Sequence, residues 1–184
     1  MAPTDQDTAV AALLREATAH GSWELDPAGS HADFYVKHFW GAVTVHGWFE
    51  RVDGEGTVTP DGDVTGRLAI DAASVQTRNG QRDRHLRSGD FFDVERHPQV
   101  AVEVTDARPA AEATLVARGA LEAAGHRVPV ELAVSVEDAT PDAVTLRGEV
   151  TVDRTRLGMT WSPLGMASKQ ARLSATLRFV RAAA

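Results

Sequence analysis

A chain of 184 residues, 43% of them hydrophobic, suits one domain with a substantial core. Its formal net charge of -7 argues against a general nucleic-acid binder, whose affinity rests on a basic surface. The lack of any cysteine excludes disulfides, thiolate catalysis and cysteine metal sites.

The N-terminal stretch 1–21 opens acidic, and Arg15 and Glu16 break its apolar run, which does not fit a secretory signal. With Met1 in place and no run of about 18 apolar residues, a cytoplasmic protein without a transmembrane helix is expected. Val10, Leu13, Leu14 and Ala17 form a short apolar stripe. It predicts an amphipathic helix from Thr8 to Ala19, capped by Asp7 or Thr8 and ended by His20-Gly21. Such a helix would pack outside the main body or over one end of it. Its polar side is not basic, which argues against a membrane helix.

From Trp23 the pattern changes to period two. Ala32, Phe34, Val36 and His38 share one strand face, and Val43, Val45, Gly47 and Phe49 a second, with Trp48 opposite. Thr57–Thr59 reads as a strand end before the Pro60-Asp61-Gly62 turn. Val64, Gly66, Leu68 and Ile70 alternate cleanly. So do Val100, Val102 and Val104, and Ala113–Leu121 is a further strand. Ala124-Gly125 predicts a hairpin turn into His126–Val136, where Val128, Val130, Leu132 and Val134 share a face and Pro129 argues for an edge or a strand start. Val144, Leu146, Gly148, Val150 and Val152 repeat the pattern, and Leu173, Ala175, Leu177 and Phe179 close it.

About eight antiparallel strands with one apolar face each cannot be covered by a short helix. Closure into an all-β barrel removes both the bare face and the edges, and a two-sheet sandwich is the alternative. Glycines at 47, 66 and 148 suit barrel curvature. Inward valines and alanines lean towards retained volume, although the same residues can fill a dry core.

The stretch Thr77–Pro98 has no clean strand pattern. Asn79-Gly80 reads as a turn and cap, Gln81–Ser88 as a short helix in which Asp83 and Arg87 are spaced for an ion pair, and Gly89 as a left-handed stop. Phe91 and Phe92 must bury at least one ring. The segment reads as a lid fixed on the strands or as a solvated connection. Arg78, Arg82, Arg84 and Arg87 make it locally basic: a patch for an anionic head group, or a helix balanced by neighbouring acids.

No nucleophile elbow, phosphate loop, dinucleotide fingerprint or zinc-protease motif is present, and the acids Asp83, Asp90, Asp93 and Glu95 are not paired by spacing. Enzymatic function is not expected. His38, His46, His85, His97 and His126 are the candidates for a metal, but histidines at strand ends are more often hydrogen-bonded than metallated. An inward His38 needs a partner, from Asp83, Asp90 or a ligand's polar group.

Two blocks resemble the YceI-like domain family of bacterial lipocalin-like proteins. The first holds Trp23, Asp26-Pro27, Ser30, Phe34, His38 and Gly47, with Phe49 as the nearest match to the family's phenylalanine. The second holds Ser74, Thr77, Asn79, Arg82-Asp83, His85-Leu86 and Asp90-Phe91-Phe92-Asp93 ahead of Pro98. Arg154 with Leu157-Gly158 is similar to a later family step, leucine replacing phenylalanine. The resemblance divides the chain into an extension, 1–21, and a barrel domain, 22–181. It implies an eight-stranded antiparallel lipocalin-like barrel, non-catalytic, that carries or stores a polyprenyl chain or isoprenoid quinone in an apolar tunnel, without a cofactor, and that forms homodimers in several members. By strand parity the tunnel would be lined by Phe34, Val36, Phe49, Leu68, Ile70, Val102, Leu132, Val134, Leu146, Val150, Leu173 and Leu177, with Phe91 and Phe92 alongside. His38, Arg82, His85 and Asp90 are candidates for a polar end. Val100-Ala101-Val102, where the family often has phenylalanine, and tryptophans at 40, 48 and 161 are departures that bear on the tunnel's length.

Overall fold

Alternation of apolar and polar side chains, sustained over long stretches, makes strands that can each turn one face to a common interior. The computed structural model describes residues 20–110 and 113–183; the helix expected at Thr8–Ala19 lies outside the described residues. The strands are β1 (Gly21–Leu25), β2 (His31–His38), β3 (Val43–Phe49), β4 (Val52–Val58), β5 (Val64–Asp71), β6 (Val75–Gln76), β7 (Gln99–Pro109), β8 (Thr114–Ala123), β9 (His126–Ala139), β10 (Ala143–Asp153) and β11 (Ala167–Arg181). One α-helix, α1 (Gly80–Arg87), stands between β6 and β7.

Eight of the strands close into an antiparallel barrel in the order β1-β4-β5-β7-β8-β9-β10-β11 and back to β1. Closure leaves no bare edge in that ring, which is why the barrel rather than the sandwich is formed. β2, β3 and β6 are additional and branch from β11. The first half of β11 pairs with β2 as far as Thr176↔His31, and its end pairs with β1 from Phe179↔Leu25. At the changeover Arg178 is stitched to the β1–β2 turn. Its guanidinium donates to the Asp26 carboxylate at 2.9 Å, and its backbone N–H donates to Ser30 Oγ at 2.9 Å.

β4 runs well before the Thr57–Thr59 strand end read from the sequence. Its Asp53-Gly54-Glu55-Gly56 stretch alternates acids with glycines and so shows no apolar face, yet it pairs in register with β5 from Val52↔Ile70 to Val58↔Val64. Gly47 on β3 permits close packing: a Cβ there would lie 2.2 Å from the Phe34 ring. The Ala124-Gly125 turn has left-handed φ at both residues, 48° and 74°, as a tight hairpin of this kind requires. Pro129 lies where β9 pairs with β8 but not yet with β10, whose ladder begins at Ala133, so the expected edge is a local one within a closed barrel.

α1 is capped by Asn79, whose side-chain oxygen accepts from the Arg82 N–H at 3.1 Å. Two readings of its residues are corrected. Asp83 and Arg87 do not pair: Asp83 is buried and accepts from the Thr77 hydroxyl, while Arg87 donates to the carbonyls of Ala73 and Val75. Gly89 does not adopt a left-handed conformation; the helix ends at Ser88, whose N–H and hydroxyl both donate to the His85 carbonyl.

Candidate functional site

The inner faces of the strands enclose one elongated cavity of about 430 Å³ with an almost wholly apolar lining. It follows β5 along its whole inward face, from Val64 through Gly66 and Leu68 to Ile70, a rise of about 20 Å at ordinary strand geometry. Gly56 and Gly66 stand opposite each other in its wall and, lacking side chains, leave room there. The barrel is therefore hollow, not the filled core that small inward residues also permitted.

Strand parity reads correctly along this wall. Phe34 and Val36 on β2, Phe49 on β3, Leu68 and Ile70 on β5 and Val102 on β7 all face the cavity. Leu132 and Val134 on β9, Leu146 and Val150 on β10, and Leu173 and Leu177 on β11 complete the predicted set. Trp23, Leu115, Val144 and Met159 also line it; of these, alternation in the sequence marks Val144, on the face of Leu146 and Val150.

The segment after β6 packs over part of one end. Phe92 is buried between Phe34 and Phe49, with ring centroids at 6.5 and 5.6 Å in edge-on contact. Phe91, half-buried, meets the edges of His85 and Trp161. Arg82 is held by Thr77: its Nε donates to the hydroxyl at 2.8 Å and its Nη2 to the carbonyl at 2.9 Å. With Arg87 also bonded to carbonyls, two of the four arginines expected to form a patch are committed to internal hydrogen bonds. Arg78 lies over the ring of Trp48 on the outside of the barrel.

This end carries the polar groups. His38, Arg82, His85 and Arg154 line the cavity together. Arg154 is buried; its Nε donates to the Ser168 carbonyl at 2.8 Å and its Nη1 to the Met159 carbonyl. Burial pulls its guanidinium down from the ordinary value, partly offset by Asp153. The His38 ring is held below its ordinary value by burial, then by the charges of Arg154 and Arg82, so its neutral form is favoured. Among the described residues this ring has no hydrogen-bond partner. Asp83 is taken by Thr77, and Asp90 lies outside the lining, where it accepts from His85 Nε2 at 2.9 Å. Asp90 is thus a support of His85, not a wall of the site.

The sequence marks Trp161 only as added bulk. It stands edge-on to His85 at 4.5 Å and lines the cavity while remaining partly exposed. Trp40 and Trp48 do not reach the cavity. The candidate metal histidines are dispersed: His46 bonds Asp33 at 2.6 Å on an outer face, His97 packs on Gly125 and His126 on Gly158. Among the described residues no three His, Asp or Glu side chains gather as a metal site would need. Arg154 and Trp161 lie in or beside the irregular stretch after β10. Arg154 carried a family resemblance, but no periodic signal marked either as cavity-facing.

The YceI-like domain model matches residues 23–179. A UPF0312 protein of Serratia proteamaculans (strain 568) is 34% identical over 131 residues, 68% of this chain and 67% of that protein. A UPF0312 protein of Pseudomonas aeruginosa (strain LESB58) is 35% identical over 91 residues, so the match spans about half of its length, 47%. Among solved structures, BcnA of Burkholderia cenocepacia superposes with TM-score 0.76 at 18% identity, over 84% of this chain and 98% of that one. A polyisoprenoid binding domain from Saccharophagus degradans, implicated in plant cell wall breakdown, gives 0.72 at 15% identity, over 87% and 98%. At these identities the two structures establish likeness of fold.

Proposed function

This chain belongs to the YceI-like domain family, and we propose that it is a non-catalytic protein that binds, and so carries or stores, a long isoprenoid such as a polyprenyl chain or an isoprenoid quinone. The observation that supports this most is the elongated apolar cavity, with His38, Arg82, His85 and Arg154 together in its lining. A hydrocarbon tail needs no hydrogen bonds and gains about 25 cal/mol for each Å² removed from water. The tail lies along Leu68, Val102, Leu132, Val150 and Leu173. Its polar end meets the unpartnered ring of His38, with Arg82 and Arg154 beside it. The described structure named for a polyisoprenoid binding domain shares the fold and agrees with this reading.

The test is mass spectrometry of an organic extract of protein purified without detergent from its native host. A stoichiometric isoprenoid, missing from a Val134→Trp variant that still folds, supports the reading and gives the chain length. A clean blank, with no uptake of added polyprenol, rejects it. Pairing as a homodimer and a cytoplasmic place belong to the same proposal; sedimentation and fractionation of the host measure them.

A further inference from the structure

Five large apolar side chains stand exposed among the described residues: Phe39 (51%), Trp40 (82%), Val43 (48%), Trp161 (41%) and Leu164 (88%). The fold brings all five to the polar end of the cavity. His38 is in register with Ala167 on β11 and with Val43 on β3, and the turn Phe39–Gly41 leaves directly from it. Ser162 clasps the same Ala167, accepting its N–H at 3.0 Å, so the turn Pro163–Gly165 stands beside that pair. Trp161 precedes Ser162 and closes on His85. Trp161 and His38 line the cavity; Trp40 and Leu164 do not, and face outwards.

These turns hold their apolar residues outwards against the backbone's own preference. Phe39, Trp40 and Leu164 have φ of 50°, 53° and 52°, a left-handed conformation unfavourable for bulky side chains. The two turns, and the strands β3 and β11 that leave them, hold no acid. The chain has 26 acidic residues, yet none lies in 34–49 or in 154–184, and its two lysines, Lys37 and Lys169, flank the two turns and are exposed. The acids nearest this end keep their charge but face cations or hydrogen-bond donors: Asp153 is held ionised by Thr155 and then by Lys169 and Arg156, Asp90 bonds His85 and Asp33 bonds His46.

We propose that this end of the barrel docks on an anionic lipid bilayer. Trp40 and Leu164 sit at the headgroup and acyl boundary, as exposed tryptophan and leucine do at membrane surfaces, and the lysines lie over the anionic headgroups. Its use rests on the isoprenoid reading above: a ligand this insoluble moves between cavity and bilayer past His38 and Trp161 without crossing water. The docking is measured apart from the cavity.

The experiment is co-sedimentation of the full chain with vesicles of equal parts phosphatidylcholine and phosphatidylglycerol, and with vesicles of phosphatidylcholine alone. Binding to the anionic vesicles, weakened by salt, is expected. The double variant Trp40→Ser, Leu164→Ser should bind them about tenfold or more weakly, with an unchanged circular dichroism spectrum. Lys37→Glu, Lys169→Glu should lose the preference for anionic vesicles. Polyprenol supplied from organic solvent should load all variants equally. Failure of that loading in the wild type would sink the isoprenoid reading and leave the docking result standing. Absence of vesicle binding by the wild type, or equal binding by the serine variant, overturns the docking. So does a concentration-dependent self-association that the serine variant abolishes, since the apolar rim would then be covered by a second copy.

Discussion

The hydroxyl of Thr77 donates to the carboxylate of Asp83 at 2.5 Å, and both residues are 5% exposed. The same hydroxyl accepts from Arg82. One buried oxygen therefore ties α1 to the strand before it and sets the guanidinium that lines the cavity. Thr77→Val keeps the shape and leaves the Asp83 carboxylate buried without its donor. It should lower stability by about 1–3 kcal/mol in urea unfolding, whereas Thr77→Ser should recover most of the loss.

Gly47 and Phe34 are a second such pair. A methyl group at residue 47 would meet the Phe34 ring at 2.2 Å, and that ring supports Phe49 and Phe92. Gly47→Ala should destabilise the barrel by about 1–3 kcal/mol through overpacking. Adding Phe34→Leu should cost less than the sum of the two single changes, because the clash disappears with the ring. Thermal unfolding of the four proteins measures the coupling.

His38 predicts a pH dependence with a definite sign. Burial, Arg154 and Arg82 hold its folded-state value below the ordinary 6.5. The unfolded chain therefore takes up the proton first as pH falls. The contribution to stability is complete above the ordinary value and is lost on descending through the folded one. The stability difference between wild type and His38→Gln should be flat above pH 6.5 and shift against the wild type below it. A protonated His38 would also place a third cation at the apolar wall, so retention of an apolar ligand should weaken over the same range. An NMR titration of the ring gives the window directly.

Arg154 anchors the stretch that carries Trp161. Its removal in Arg154→Leu leaves the Met159 and Ser168 carbonyls without their donor. A loss of about 1–3 kcal/mol is expected, with amide exchange rising first between residues 157 and 167. A variant that exchanges there like the wild type would mean that the stretch is held by other contacts.

The parts of the fold visible in the sequence are those where burial follows a period. β5, β7, β9, β10 and β11 alternate cleanly because each has one face on the cavity and one in water, and their parity carried over to the wall. β4 shows no apolar alternation because its inward positions include Gly54 and Gly56, which carry no side chain to mark the face. The polar end was harder. Asp83 and Arg87 had helical ion-pair spacing, but spacing does not reveal that Thr77 and two backbone carbonyls compete for them. Asp90 was placed in the site although only His85 reaches it. Trp161 and Arg154 come from an aperiodic stretch, where position depends on long-range contacts that no local pattern encodes.

β11 serves two neighbours, β2 along its first half and β1 at its end, besides β10 along its length. A nascent chain halted before Ala167 therefore presents three open strand edges at once, those of β1, β2 and β10. No local hairpin can close them, because every partner is this one strand. Closure is a single late event that joins residues far apart in sequence, such as Trp23 with Arg181, and topologies of that kind fold slowly. Until it occurs the apolar inner faces are open to other chains. The order of synthesis, more than the strength of any one contact, then sets when this protein is safe from aggregation.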